Sequence, residues 1–270
     1  MAVVAVSRGS YTGGIAVAEN LARELGHPCV SREVVLEAAR ESGVDERELR
    51  STLEEPPRFW EKTPGRIPAH LNLVRAALLR RAQAGGLIYH GYAGHLLLRG
   101  ISHVLRARII AGTDARISAL VDDYHMSQKE AAAHLRKLDA QLVKWTRFLY
   151  GVEWQDPSLY DVVLNLDHIS VDGAVTTLAQ MTRLRDFQPT DESRKAFNDL
   201  CLSSFVWEAL TKDERTGTAN IRVGADAGTV LITGVAANKH IVSAIQDVAE
   251  HVKGVEEVDN QVGVGSNWSW

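Results

Sequence analysis

The sequence predicts an α/β fold in two parts: a parallel sheet with helices on both faces, then a small C-terminal α/β module. Three observations lead there. The chain opens with a β-branched run, a glycine turn and a helical stretch. Strand-like runs then alternate with helical stretches to about residue 185, the pattern of a parallel sheet covered on both sides. Beyond that, the order becomes helix, hairpin with alternating arms, helix and final alternating strand.

Each element has a local reason. Ala2-Val3-Val4-Ala5-Val6 is an apolar run of the kind buried in a parallel sheet. After the turn Ser7–Gly14, the residues Ile15, Ala18, Leu21, Ala22 and Leu25 fall at helical spacing, and Gly26 stands where a helix-ending glycine belongs. Further strands are expected at 87–90, 108–111 and 162–165, with helices near 67–84, 114–122, 127–150 and 171–184. Phe187–Glu192 reads as a linker into a helix over 193–211. Strand-like runs 220–223 and 230–234 flank a turn at Asp226-Ala227-Gly228, followed by a helix from Lys239 to Lys253 and a strand from Val255 to Val264.

At 270 residues the chain accommodates a large domain plus a small one, and 45% hydrophobic with 24% charged residues is a globular balance. A net charge of −4 argues against a dedicated nucleic-acid binder. Cys29 and Cys201 lie far apart and fit neither a disulfide framework nor a metal spacing, as expected in a reducing compartment. The opening apolar run lacks a basic flank, and no stretch approaches the ~20 apolar residues of a membrane span. A cytoplasmic protein without a transmembrane segment is expected.

A strand, glycine turn and helix form a phosphate site in outline, because the turn's N–H groups and the helix N-terminus converge on an anion. A full Walker A loop adds a lysine and a hydroxyl. With Gly13 as the last loop glycine, Gly14 takes the lysine position and Ile15 the hydroxyl position. The turn alone fits a phosphate loop and a plain tight turn equally. His90 and His95 flank Gly91, but no third ligand follows at metal spacing.

Longer segments separate these alternatives. Ser7-Arg8, Thr12-Gly13-Gly14, Leu21–Gly26 and Ser31-Arg32-Glu33-Val34-Val35 together resemble the opening of the cytidylate-kinase-like family. Ala84–Ala93 is similar to that family's Gly-Arg-Gly-Ala strand end. Trp154-Gln155-Asp156-Pro157 with Tyr160–Asn165 is similar to its closing segment. The resemblance covers about 1–185 and implies a P-loop kinase-type three-layer fold, ATP with Mg2+, a nucleoside monophosphate acceptor, and arginines closing over the transferred group. Departures accompany it: Tyr92 and Leu142 replace expected arginines, and Ile15-Ala16 replaces a charged pair. The resemblance implies phosphate binding by Arg8, Gly9, Ser10, Thr12, Gly13, Gly14 and Arg32, and catalytic roles for Arg116, Arg136 and Asp139, the last orienting a lid arginine. Arg147, beside Lys144, is a further candidate; each of these arginines also fits a plain solvated helix-face charge, and Asp139 a residue without a special role.

Residues from about 205 to 264 resemble a BON domain, with Gly228, Thr233-Gly234-Val235, Lys253-Gly254-Val255 and Asn260 in its pattern. That resemblance implies an interaction or regulatory module: binding at membranes or cell-envelope surfaces, in some proteins small ligands or self-association, and here a protein partner or homo-oligomer. The expected organisation is a kinase-like domain over 1–185, linker and helix over 186–204, and a BON-like domain over 205–265. Few contacts are expected to cross 186–192, so that a chain ending near Arg185 folds alone. Trp268 and Trp270 follow the last strand and suit docking on the rest of the protein or a second protomer.

Three functions compete. One is a nucleotide-binding protein with a degenerate loop; the second is an active ATP-dependent CMP-type kinase using its arginines; the third is an assembly protein with an empty nucleotide site. Basic groups directed into one cleft favour the first two, and a cleft filled by Tyr11, Ile15 or Tyr92 favours the third.

Overall fold

The structure, a computed structural model, describes residues 2–9, 11, 13–40, 42–45, 66–91, 94–217 and 219–265. Val3, Val4, Ala5 and Val6 are each at most 4% exposed, so strand β1 (Val3–Arg8) is buried on both faces. It lies between β3 (Leu87–Gly91) and β4 (Val104–Ile110), with β2 (Cys29–Ser31) and β5 (Val162–Asn165) outside them. All four pairings are parallel, and the order is β2-β3-β1-β4-β5.

One face of this sheet is closed by α1 (Gly14–Leu25) and α7 (Val171–Met181). Val17, Ala18, Leu21 and Ala22 of α1 meet Ala174, Val175, Leu178 and Ala179 of α7 over Val4, Val6, Ile88, Leu105, Ala107 and Ile109. Each such fully buried Val, Leu or Ile contributes about 1.5–3 kcal/mol relative to exposure. Tyr89 points to the other face, where Gly94, the first residue of the short helix α4 (Gly94–Leu97), sits so close that a β-carbon would lie 2.2 Å from its ring. The remaining helices of the N-terminal part are α2 (Arg32–Arg40), α3 (Arg66–Gln83), α5 (Thr113–Tyr124) and α6 (Gln128–Tyr150). Ser127 starts α6 with a capping box: its Oγ accepts from the Glu130 N–H at 3.3 Å, and Glu130 accepts from the Ser127 N–H at 3.0 Å.

The chain divides into two compact units. The first comprises Met1–Val34, Glu54–Pro56 and Arg81–Thr190; the second comprises Val35–Leu53, Pro57–Arg80 and Asp191–Trp270. The second unit thus includes residues of the N-terminal segment as well as those from Asp191 onwards. Helix α8 (Asp191–Lys212) is buried on two faces, Leu202, Val206 and Leu210 on one and Cys201, Ser204 and Glu208 on the other.

After α8 come β6 (Asn220–Asp226), β7 (Thr229–Ala236), α9 (Lys239–Glu250) and β8 (Glu257–Val264). β6 and β7 are antiparallel, β8 joins β7 in parallel, and the order is β6-β7-β8. The hairpin turns through Ala227 and Gly228 at φ 45 and 90, the left-handed pair that a two-residue turn requires. Leu202, Val206 and Leu210 of α8 and Ile245 and Ala249 of α9 pack on Ile221, Val230, Ile232 and Val262. Asn260 ties the layers together: its Nδ2 donates to the Val242 carbonyl at 3.1 Å and its Oδ1 accepts from the Val262 N–H at 3.2 Å.

The same unit holds a buried carboxylate. Glu208, 3% exposed, accepts from Lys212 Nζ at 2.8 Å and Ser42 Oγ at 3.0 Å and is ion-paired with Arg80, whose guanidinium also lies 5.2 Å from the Phe205 ring centroid. Three donors around one buried anion offset its desolvation. Among the described residues, no helix is long and apolar enough to cross a membrane. Both cysteines are free, and burial pushes the Cys201 thiol up to about 12.

Candidate functional site

Ligands of open parallel sheets bind beyond the carboxyl ends of the strands. Here β1 ends between Gly91 of β3 and Arg108 of β4, both paired with Ser7, and the glycine turn follows. Gly13, at φ 75 and ψ 0, is the N-cap of α1. A β-carbon there would be strained by that φ and would lie 2.9 Å from Leu166 Cδ1. The first turn of α1 has neither an acidic residue nor a side-chain bond from its cap Gly13, and its N–H groups and dipole point towards the turn. Gly14, at the lysine position, is buried, while Ile15, at the hydroxyl position, is 44% exposed.

The basic candidates are deployed in different ways. Arg8 Nε donates to His90 Nδ1 at 3.4 Å, across the ends of β1 and β3. Burial foremost, then the Arg8 charge, lowers the His90 pKa, against the opposing pull of Glu19 and Glu33. Arg116 of α5 meets Asp139 of α6 in a two-pronged pair at 3.0 and 2.7 Å. Arg136 is exposed on α6, and Arg147 is exposed and ion-paired with Glu153. Leu142 is buried, so the position expected to carry a second lid arginine faces the core. Arg32 opens α2, with its side chain outside the described residues, as are Ser10, Thr12, Tyr92, Trp268 and Trp270.

Tyr11, at φ 59, joins the glycine turn to the α5–α6 pair. Its ring stands edge-on to Tyr124 at 5.6 Å and packs with Ile117, Val121 and Met126 around buried Leu120, Ala131 and Leu135. Sequence reasoning did not anticipate this contact; an aromatic inside a glycine turn was the available signal.

A second feature, also not anticipated, is a buried polar cluster under the ends of β1 and β4. Tyr160 OH donates to the Trp154 carbonyl at 2.6 Å, leaving Ser7 Oγ as its partner at 3.3 Å. The Arg108 guanidinium lies 4.5 Å from the Trp154 ring centroid and donates to the Gln155 carbonyl at 2.7 Å. Asp161 accepts from the Arg106 backbone at 2.7 Å and from its guanidinium at 3.0 and 2.7 Å. His95, 2% exposed, stacks 4.5 Å from Tyr160, and burial, then Arg106 and Arg108, lowers its pKa to about 4. The Trp-x-Asp-Pro and Tyr-Asp segments thus act as a brace that fixes the strand ends.

The donor set distinguishes two ligands. Backbone N–H groups at the turn suit a phosphate. Magnesium requires oxygen ligands, and Ile15 offers none where a hydroxyl is needed. Asp167 accepts from the Gly112 N–H at 2.9 Å, and among the described residues no group of three or more His, Cys, Asp or Glu could hold a metal. The described residues fit the phosphates of ATP better than its metal.

The model of the cytidylate kinase-like family matches residues 3–168, more than half of the chain. The chain belongs to this family. A BON domain model matches 199–266, in the second compact unit. This cytidylate kinase-like chain is 28% identical over 177 residues to a cytidylate kinase of Pyrobaculum aerophilum, covering 65% of this chain and 89% of that one. A cytidylate kinase of Pyrobaculum arsenaticum is 27% identical over 192 residues, covering 67% and 93%. The crystal structure of an uncharacterized protein from Eubacterium ventriosum superposes with a TM-score of 0.55 at 17% identity, over 68% of this chain and all of that one, which supports the shared fold alone.

Proposed function

We propose that the protein binds a nucleotide through the glycine turn and transfers phosphate slowly or not at all, with its BON module serving interaction or regulation in the cytoplasm. One observation carries this: left-handed Gly13 caps α1 at the end of the turn, while buried Gly14 and exposed Ile15 occupy the positions of the lysine and hydroxyl. Backbone donors suffice to hold phosphate oxygens. Transfer also requires preorganised positive charge where the γ-phosphate departs, and Arg116 is instead engaged with Asp139.

An active CMP-type kinase is the second reading, favoured by the same pair, since a carboxylate that orients an arginine is what a closing lid requires. Calorimetry with ATP, ADP, CMP and CDP, with and without magnesium, tests binding; a coupled assay with ATP and CMP tests transfer. Saturable binding with turnover far below the ~1–100 s⁻¹ usual for kinases is expected. Ordinary turnover, lost in Arg116→Ala, would establish the kinase instead, and no binding of any nucleotide would leave the turn a structural element.

A further inference from the structure

Within the second compact unit, α3, α8 and β6 enclose a cleft of about 340 Å³, within the size range of small-molecule sites. Asn72 and Arg75 line it from α3, Ser204 and Trp207 from α8, and Asn220 and Arg222 from β6. Among the described lining residues two guanidinium groups are present and no carboxylate, a basic lining in a chain whose net charge is −4. Arg75 is half-buried and donates from Nη1 to Asn72 Oδ1 at 3.2 Å, which orients its fork. Ser204 is 2% exposed, and its hydroxyl has no hydrogen-bond partner. Buried hydroxyls are rarely left unmet, and this one borders a polar cleft. The half-buried indole of Trp207 adds a flat apolar wall.

We infer that this cleft binds a small anionic metabolite, carrying a phosphate or carboxylate group, between Arg75 and Arg222 with Ser204 completing its hydrogen bonds. The cleft shares no residue with the glycine turn and stands or falls independently of nucleotide binding. Its walls come from both matched segments: Asn72 and Arg75 lie within residues 3–168, and Ser204 through Arg222 within 199–266. Neither segment alone contains the site; their fusion creates it.

The test uses the full chain and follows the ¹⁵N-indole resonance of Trp207, assigned with Trp207→Phe. Inorganic phosphate and succinate are titrated separately against sodium chloride of matched ionic strength. A saturable shift with phosphate alone identifies a phosphoryl group, with succinate alone a carboxylate, and either supports the site. Arg222→Gln, exposed on a strand and outside the core, is expected to weaken binding by roughly tenfold to a hundredfold, the loss of a charge-assisted hydrogen bond. Arg75→Gln is expected to do the same, and Ser204→Ala to weaken it less. The proposal is overturned if neither anion gives a saturable shift, if chloride reproduces the shift, or if folded Arg222→Gln binds unchanged.

Discussion

His95 is enclosed by Tyr160 and two arginines, and its imidazole stays neutral in the fold down to about pH 4. Its ordinary value is 6.5. Between those values the unfolded chain takes up a proton that the folded chain refuses, so stability falls as pH drops through this window and is level above it. The loss is on the order of 3 kcal/mol, from 1.36 kcal/mol per pK unit. Urea unfolding from pH 7.5 to 4 should show this slope in the natural protein and a flatter one in His95→Phe; equal slopes would place the titration elsewhere. At Gly13 two penalties coincide, the left-handed φ and the approach of Leu166. Gly13→Val should therefore cost roughly 2 kcal/mol of stability and, below its melting point, weaken nucleotide binding at least tenfold. Gly26→Ala is the control: its φ is 65 but nothing lies within 4 Å, so it should lose stability alone. Equal nucleotide affinity in both variants would remove the turn from the site. Neither effect was fully legible in the sequence. The turn glycines stand out as such, whereas the surroundings of His95 are assembled from residues 106, 108 and 160, which only the sheet brings together.

Among the elements, legibility followed length and period. Strand β5 occupies the residues the sequence marked out, Val162–Asn165, and α6 differs from its expected span by a single residue at its start. β2 has only three residues and passes directly into α2 at Arg32, too short a run for alternation to register. The pairing of Arg116 with Asp139 joins residues 23 apart in sequence on two successive helices, and spacing on either helix does not reveal it. The β6–β7 hairpin carries a correctable strain, because Ala227 holds φ 45 where Asn or Gly is at ease. Its N–H donates to Asp199 Oδ1 at 2.8 Å, a bond that uses no side-chain atom of Ala227. Ala227→Gly should raise the unfolding free energy by roughly 1 kcal/mol, read from the denaturation midpoint at unchanged slope. A drop in stability would mean that the turn adopts another conformation in solution.

At the scale of the whole molecule, the chain is threaded between its two units. The described residues 66–80 belong with 191–265, so removing the C-terminal segment leaves α3 residues such as Leu73, Val74, Leu78 and Leu79 without the rest of their unit. A chain ending near Arg185 is therefore expected to bind a hydrophobic dye, to melt without a sharp transition and to aggregate. A monodisperse fragment with a cooperative melt and full nucleotide affinity would restore the simple division at the linker.

Glu208 has a consequence for descent. Its buried carboxylate is held by Arg80 and Ser42 from the N-terminal half and by Lys212 from its own helix. A recombination that grafted this BON segment onto a foreign kinase-like half would bury an acid short of the Arg80 counter-charge. The two segments can therefore diverge freely where each faces solvent, but they pass through generations as a single heritable unit wherever this acid is kept.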